Sequence, residues 1–204
     1  MARDLSPITK QSRREGTALH TKAHKIMVRR TAGPGQHGFN QRRKPSQYSI
    51  QLREKQKVKR LYGLLERQFA RLVAEAGKTS GKSGEVLLQL LERRLDNVVY
   101  RGGLATSRRA ARQLVNHGHF LLNGQTINVP SARVKPGDTI AVKPSSGKNT
   151  YFTDFDPKTA GDQPALSWLK ANPKKFEITI TGLPTREEAE ANINEQLIVE
   201  YYSR

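Results

Sequence analysis

Three arginines that could bind phosphate lie together in a short stretch with a helical pattern. Arg108, Arg109 and Arg112 project close together around the predicted helix, beside an apolar face that includes Ala111 and Leu114. A guanidinium group grips phosphate through two parallel N–H donors and stays charged in proteins. We therefore predict that this helix presents a cluster of arginines to a nucleic acid backbone.

The residues on either side of this helix predict a rigid scaffold for it. Ser107 or Thr106 can accept hydrogen bonds from the first free backbone N–H groups, and Gly118 suits the end of the helix. The pair Asn123-Gly124 stands between two apolar-rich runs, and both residues tolerate positive φ. This pattern predicts a β-hairpin directly after the helix.

The balance of charge indicates a polyanionic partner. The 204 residues include 36 Lys and Arg against 18 Asp and Glu, which gives a formal net charge of +18. A surface this positive repels itself unless a polyanion neutralises it, and nucleic acid is the usual one. Basic residues dominate residues 1–60 and 101–150, whereas residues 151–204 are net acidic. We infer two surfaces that face nucleic acid and one that faces elsewhere.

The chain is long enough for two small domains. We predict an α+β fold with a small helical bundle and an RNA-binding module, in which a basic helix packs on an antiparallel sheet. The predicted regions are an extended basic N-terminal arm at 1–45, a helical domain at 46–93 that is completed by 192–204, and an RNA-binding α+β domain at 94–191 with its core module at 94–143.

The arm has no sustained apolar period, and it contains the glycine-rich stretch 33–38. We expect an extended segment that becomes ordered against a phosphate-rich surface, because glycine lets the backbone approach another molecule closely. The other reading is a disordered basic tail. In neither case do we expect this arm to hold a regular fold alone.

Two apolar stripes predict the helical domain. The first recurs at three- and four-residue spacing from Val58 to Ala76, and Gly63 within it predicts a bend or break. The second begins near Ser83 and continues to Val98. Further predicted elements are strands at 139–142 and 176–180, a possible strand at 150–152, and a loop at 154–175 anchored by Trp168 and Leu169. The helical spacing of apolar residues at 193–201 predicts a closing helix that covers the bundle, with a strand as the alternative.

Several kinds of chemistry are not expected. The chain has no cysteine, so disulfides, thiolate catalysis and zinc sites built on Cys are excluded. We see no glycine-rich cofactor fingerprint, no apolar run long enough to span a membrane and no secretory signal. We therefore expect no cofactor, no membrane and no small-molecule substrate, and the composition fits an intracellular protein.

The chain resembles the bacterial-type small-ribosomal-subunit protein S four family over almost its whole length. The resemblance rests on the stretches 12–17 (SRREGT), 34–38 (PGQHG), 51–58 (QLREKQKV), 65–69 (LERQF), 94–101 (RLDNVVYR), 111–115 (ARQLV) and 193–200 (INEQLIVE).

This resemblance implies a primary rRNA-binding protein of the small ribosomal subunit. It implies a position at a multi-helix junction in the 5′ domain of small-subunit rRNA and an early part in subunit assembly. It also implies that the protein lies beside the mRNA entry channel, contacts small-subunit proteins five and twelve, and influences translational accuracy. The expected location is a cytoplasmic ribosome, although an organellar one stays open.

The resemblance also implies which residues bind RNA. Arg108, Arg109 and Arg112 match the family's RNA-contacting helix, and Lys55 to Arg60 match its basic helical surface. The full expected set is Arg3, Arg13, Arg14, Arg42, Arg43, Lys44, Arg53, Lys55, Lys57, Lys59, Arg60, Arg101, Arg108, Arg109 and Arg112. Many relatives bind zinc through N-terminal cysteines that this chain lacks. His20 and His24 alone do not close a tetrahedral site, so we expect no metal.

Two alternative functions remain to be compared. An RNA-modifying enzyme such as a pseudouridine synthase can carry a similar module and a catalytic Arg-Leu-Asp, which makes Asp96 the best catalytic candidate. We expect Asp96 instead to pair with a nearby arginine or to cap backbone N–H groups. A DNA-binding helix-turn-helix protein is the second alternative, but a hairpin follows the basic helix directly. Recognition of folded RNA by shape and phosphate contacts is the favoured function.

Overall fold

The structure is a computed structural model, and it describes residues 4–39, 44–155, 166–172, 175–190 and 192–203. The chain divides into two compact units, one formed by residues 1–87 with 192–204 and the other by residues 88–191. The described residues combine helices with an antiparallel sheet, so the predicted α+β class is confirmed. The domain boundaries that we place after residues 45 and 93 remain predictions.

The first unit is helical. Its helices are α1 (Ile8–Glu15), α2 (Thr21–Arg29), α3 (Gln47–Leu61), α4 (Glu66–Lys78) and α10 (Glu195–Tyr202), with a 3₁₀ turn at Gln36–Phe39. Helix α5 (Ser83–Glu92) begins in this unit and ends in the second. Gly63 separates α3 from α4 with a φ of +64°, as the sequence predicted.

The apolar stripe of α3 and α4 forms the core of this unit. Val58 and Phe69 are fully inaccessible to solvent, and Leu72 and Ala76 are also buried. Helix α10 packs on α3 and buries Ile198. The closing helix therefore covers the bundle, in agreement with the sequence analysis.

The N-terminal residues differ from the extended arm that we expected. Residues 8–29 form helices α1 and α2, which contact each other, and α1 also contacts α3. Local hydrogen bonds and turns define these helices rather than a long apolar period: Gly16 ends α1 at a φ of +66°, and the His20 ring accepts a hydrogen bond from the Lys22 amide to cap α2. Their apolar burial is small and centres on Leu19 and Ala23.

The glycine-rich stretch approaches its own chain. A Cβ atom on Gly38 would lie 2.0 Å from the carbonyl oxygen of Gly33, so only glycine fits there. Arg13 of α1 donates hydrogen bonds to the carbonyl oxygens of Ala32 and Gly33, each at 3.0 Å. At Gly38 the glycine therefore allows a close contact with the backbone of Gly33 in the same chain, whereas we expected such a contact with another molecule.

The second unit places helices on a sheet. After α5 it contains α6 (Leu95–Arg101), α7 (Arg108–Asn116), α8 (Pro144–Gly147) and α9 (Thr150–Thr153), with strands β1 (Phe120–Leu122), β2 (Gln125–Ile127), β3 (Thr139–Val142), β4 (Leu169–Asn172) and β5 (Glu177–Ile180). Within the described residues the sheet has five strands in the order β2-β1-β3-β5-β4, and all neighbours are antiparallel.

Three elements of this unit differ from prediction. The helix that we expected from Ser83 to Val98 is interrupted at Arg93 and Arg94, where Arg94 forms an isolated bridge with Arg133. Residues 150–153 form a short helix instead of a strand, and the Thr153 hydroxyl donates to the carbonyls of Asn149 and Thr150. Strand β4 was missed because three of its four side chains are exposed, so it shows no alternation.

The core of the second unit joins α6 and α7 to the sheet. Phe120, Ile140, Trp168 and Ile178 are buried together with apolar residues of both helices. Gly102, after the end of α6, lies so close to β5 that an added Cβ atom would lie 2.2 Å from the Ile178 Cδ1 atom. This close contact lets the end of α6 rest directly on the sheet.

One carboxylate joins three helices of the first unit. Glu66 of α4 accepts hydrogen bonds from the ammonium groups of Lys55 (2.8 Å) and Lys59 (2.9 Å) on α3, and from the Tyr202 hydroxyl (2.7 Å) on α10. The Lys55 ammonium group is buried and also lies 4.5 Å from the centre of the Tyr201 ring. Burial by itself raises the pKa of Glu66, but these hydrogen bonds outweigh it and lower the pKa to about 2.

We expect Glu66→Gln to reduce the thermal stability of the helical unit at neutral pH and to weaken its acid dependence. Because the pKa of Glu66 is lower in the folded state than in the unfolded state, this carboxylate stabilises the fold above about pH 4.5. That contribution is lost as the pH falls from about 4.5 toward 2. Glu66 is partly exposed to solvent, so the expected loss at neutral pH is about 1 kcal/mol.

Thermal melting followed by helix circular dichroism at several pH values measures this effect. The matched control is Glu85→Gln, which removes the same charge from an exposed ion pair with Lys82. The control should change the melting temperature little at any pH. Equal behaviour of the two variants would show that the Glu66 hydrogen bonds do not stabilise the bundle.

Candidate RNA-binding surface

Helix α7 forms as its sequence predicted. The Ser107 hydroxyl accepts a hydrogen bond from the Ala110 amide at 3.2 Å, and Ala111, Leu114 and Val115 are buried. Gly118 follows the helix with a φ of +72°. The hairpin turn has positive φ at both Asn123 (+50°) and Gly124 (+82°), which confirms the predicted turn.

The arginines of α7 occupy different environments. Arg109 is exposed, whereas Arg108 and Arg112 lie partly buried against carboxylates of the same unit. Two of the three arginines that we expected to cluster on α7 are therefore paired within the protein, and contact of the three with RNA remains a prediction. The pairing arises because α6 and the segment 185–190 supply acidic side chains that reach two of the three arginines.

Asp96 is the centre of a buried network at the start of α6. Its carboxylate accepts a bidentate interaction from Arg94 at 3.0 and 2.7 Å, and a third hydrogen bond from Arg112 at 3.0 Å. The backbone amide of Asn97 also donates to it at 3.0 Å. The expected pairing of Asp96 with a local arginine is confirmed. Because these donors surround a nearly inaccessible carboxylate, Asp96 is not placed to attack a substrate.

Arg108 is fixed from three directions. Its Nε atom donates to Asn97 Oδ1 at 2.8 Å, and its Nη2 atom donates to Glu190 Oε1 at 2.6 Å. Its guanidinium carbon lies 4.6 Å from the centre of the Tyr100 ring, which adds a cation–π contact. Asn97 is itself held by the backbone carbonyl and the carboxylate of Glu92.

Arg101 is the most deeply buried of the expected RNA-binding residues in this unit. Its Nε and Nη2 atoms donate to the two carboxylate oxygens of Glu92 at 3.1 and 3.0 Å. Glu190 Oε1 lies 3.4 Å from the same Nη2 atom. Arg101 and Arg108 therefore converge on one oxygen of Glu190.

The basic surface that the resemblance assigned to α3 is also largely paired. Lys55 and Lys59 contact Glu66, Lys57 contacts Glu54 at 3.0 Å, and both Arg53 and Arg60 contact Glu15 of α1. The Glu15 side chain is inaccessible to solvent. These cations therefore serve, at least in part, to hold α1, α3 and α4 together.

The remaining expected residues divide into three groups. Arg13 donates to backbone carbonyls in the N-terminal region, as described above. Arg14 and Lys44 are exposed. Arg3, Arg42 and Arg43 lie outside the described residues.

A further basic stripe on α4 was not identified from the sequence. Arg67, Arg71 and Lys78 are exposed, and on a helix of 3.6 residues per turn they fall within about 40° of one another, opposite the buried stripe. Within the parts of the chain that the structure describes, none of the three has an ion-pair partner. The signal in the sequence is the spacing of these three residues relative to Phe69 and Leu72, which places them on the opposite face of the helix.

The histidines lie apart from any catalytic arrangement. His117 and His119 lie in the turn from α7 to the hairpin, with ring centres 6.0 Å apart. The His119 ring is 3.0 Å from the Ser146 hydroxyl, and burial together with nearby His117 lowers its pKa. His20 caps α2 and His24 is exposed. The described residues contain no group of three or more His, Asp or Glu side chains that could hold a metal ion.

None of the helices in the described part of the chain combines the length and apolar character that a membrane crossing requires.

Comparisons with known proteins identify the family. The model for "Ribosomal protein S4/S9 N-terminal domain" matches residues 3–92, and the model for "S4 domain" matches residues 93–140. The chain is 53% identical to small ribosomal subunit protein uS4 of Chloroflexus aurantiacus, 51% to that of Herpetosiphon aurantiacus and 50% to that of Geobacillus kaustophilus. Each match covers 100% of both chains. The chain belongs to the uS4 family of small-ribosomal-subunit proteins, which confirms the resemblance and the expectation of a non-enzymatic protein.

We expect Asp96→Asn to destabilise the second unit by about 3–5 kcal/mol, because it leaves the buried Arg94 guanidinium without its charge partner. The chain has a single tryptophan, and Trp168 lies in the core of this unit. Its fluorescence during urea denaturation therefore measures unfolding of this unit. The control Arg109→Ala, on the exposed side of α7, should change the free energy by no more than about 0.5 kcal/mol. A change below about 1 kcal/mol for Asp96→Asn would mean that the network does not hold the unit together.

The α4 stripe leads to a second prediction. Changing Arg67, Arg71 and Lys78 together to Gln should weaken binding to small-subunit rRNA and make the log–log salt dependence less negative by up to about three units. Filter binding over a salt series measures both quantities. The double variant Arg67→Lys with Arg71→Lys keeps the charge and should retain most of the salt dependence. If the triple variant keeps its helix content and the parental salt slope, the stripe does not contact RNA.

Proposed function

We infer that the chain, as a member of the uS4 family, is a structural, rRNA-binding constituent of the small ribosomal subunit. The family assignment supports this directly, since the similarity extends over the whole chain. The excess of 18 positive charges has the sign and size that contact with many phosphates requires. Helix α7, with its hairpin and buried anchoring residues, supplies a rigid support for such contacts.

The finer proposal concerns the place of the protein in the subunit. The protein binds a multi-helix junction in the 5′ domain of small-subunit rRNA and nucleates assembly there. It lies beside the mRNA entry channel, next to small-subunit proteins five and twelve, and contributes to translational accuracy. Full-length identity of about one half to uS4 proteins supports these statements, which follow the resemblance of the motifs.

Folded RNA is a better partner than duplex DNA for this surface. Two of the three α7 arginines are held against carboxylates, so the helix does not present a row of long side chains to a major groove. In addition, a β-hairpin directly follows the helix. Binding to the phosphate backbone of a folded RNA does not require a helix that inserts into a major groove.

We expect the protein to bind protein-free small-subunit rRNA with a log–log salt slope several units negative, because about six or more phosphates would be neutralised. Filter binding across a salt series, with duplex DNA at the same salt as the comparison, measures this. A primary binder should need no other ribosomal protein and should co-sediment with small subunits after a high-salt wash.

Two outcomes would contradict the proposed function. A salt slope near zero would mean that phosphate contacts do not dominate binding. Equal affinity for duplex DNA and rRNA at one salt concentration would mean that the protein does not select folded RNA.

A further inference from the structure

Arg101 and Arg108 both reach the carboxylate of Glu190, which is partly exposed to solvent. Glu190 Oε1 lies 2.6 Å from Arg108 Nη2 and 3.4 Å from Arg101 Nη2. Two guanidinium groups directed at one oxygen make the arrangement in which arginines hold a phosphate oxygen. Here an internal carboxylate occupies that position.

Both arginines have further contacts besides Glu190. Arg101 is held by a bidentate interaction with the buried Glu92 carboxylate. Arg108 is held by Asn97 at its Nε edge and by the face of the Tyr100 ring. These contacts preorganise the two guanidinium groups as an anion site.

The segment that carries Glu190 is anchored separately. Glu188 accepts hydrogen bonds from the Ser167 amide at 2.5 Å and from the amide and hydroxyl of Thr185 at 3.1 and 2.9 Å. Ala189 is buried. Glu190 can therefore leave the arginines through rotation of its own side chain, without release of the segment.

The carboxylate is also accessible from solvent. One third of the Glu190 side chain is exposed, in contrast to the almost fully buried Glu92 carboxylate. Burial raises the pKa of Glu190, but the charges of Arg108 and Arg101 outweigh it and lower the pKa overall, so the group is an anion at neutral pH. An RNA phosphate would carry the same single charge and could compete for the same donors.

We propose that Arg101 and Arg108 form a binding site for one phosphate group of RNA, and that the Glu190 carboxylate fills this site until RNA displaces it. The inference rests on the proposed rRNA-binding function and adds a specific site and an internal competitor to it. Arg101 would then contact RNA although its side chain is buried in the free protein.

The test compares Glu190→Gln with Glu187→Gln. Glu187 is exposed in the same segment and has no ion-pair partner in the described parts of the chain, so its variant makes the same change in net charge. Glu190→Gln should tighten binding to a folded small-subunit rRNA fragment by about three- to tenfold relative to Glu187→Gln. Its salt slope should stay close to that of Glu187→Gln, because the same phosphate is bound in both complexes and only the competing carboxylate has been removed.

Two further measurements locate the effect. The gain should disappear when Arg108 is also changed to Gln, because the displaced contact is then missing. Inorganic pyrophosphate should raise the melting temperature of Glu190→Gln, followed by Trp168 fluorescence, more than that of Glu187→Gln. This second readout does not depend on RNA.

The outcomes separate this inference from the proposed function. If Glu190→Gln binds like Glu187→Gln, or binds more weakly with its Trp168 melting transition intact, Glu190 is not a competitor and the inference is overturned. In both cases steep salt dependence of the parent protein would leave the proposed function standing. If the parent and Glu187→Gln both bind rRNA without salt dependence, the proposed function fails instead.

Discussion

The ion pair between Arg94 and Asp96 fixes the start of α6, and helix α7 is tied to the same carboxylate through Arg112. The side chains of Arg94 and Asp96 are both buried. The backbone amides of Leu95 and Asp96 donate to the carbonyls of Ala132 and Pro130, which tie this point to the chain beyond the hairpin. A buried ion pair adds little net stability compared with apolar residues, but loss of one partner is strongly destabilising. We infer that this network selects one arrangement of α6 and α7.

Sharing of carboxylates recurs through the described residues. Four acidic side chains each contact two cations: Glu15 with Arg53 and Arg60, Glu66 with Lys55 and Lys59, Asp96 with Arg94 and Arg112, and Glu190 with Arg101 and Arg108. The composition has the same proportion, with 36 basic and 18 acidic residues. Three of these groups keep one net positive charge, whereas the Glu190 group keeps none because Arg101 is also paired with Glu92. In all four groups the cations are held in place. The fold can thus be stabilised internally while its excess charge remains available to a polyanion.

Local signals in the sequence predicted much of this fold. The cap of α7 at Ser107 and the break after α3 at Gly63 could be predicted, because each depends only on residues that are close in sequence. The hairpin at Asn123-Gly124 has the same local origin. The environment of the candidate site could not be predicted in this way. Arg108 meets Glu190 across 82 positions of sequence, and no periodic pattern encodes such a contact. For this reason the pairing of Arg108 with Glu190 was not expected from the sequence.

The four shared carboxylates differ in exposure to solvent, and this difference determines whether a phosphate could replace them. The side chains of Glu15 and Asp96 are 0% and 6% exposed, so a phosphate could replace either only by becoming buried itself, at a high desolvation cost. Glu66 is 46% exposed, but a tyrosine hydroxyl also holds it, and its cations are lysine ammonium groups, which lack the planar pair of donors with which arginine binds a phosphate. Glu190, at 33% exposed, combines access from solvent with two arginines fixed by other contacts. A cation therefore does not have to be unpaired to contribute to RNA binding. What decides its contribution is whether its present partner can give way to a phosphate without disturbing the fold.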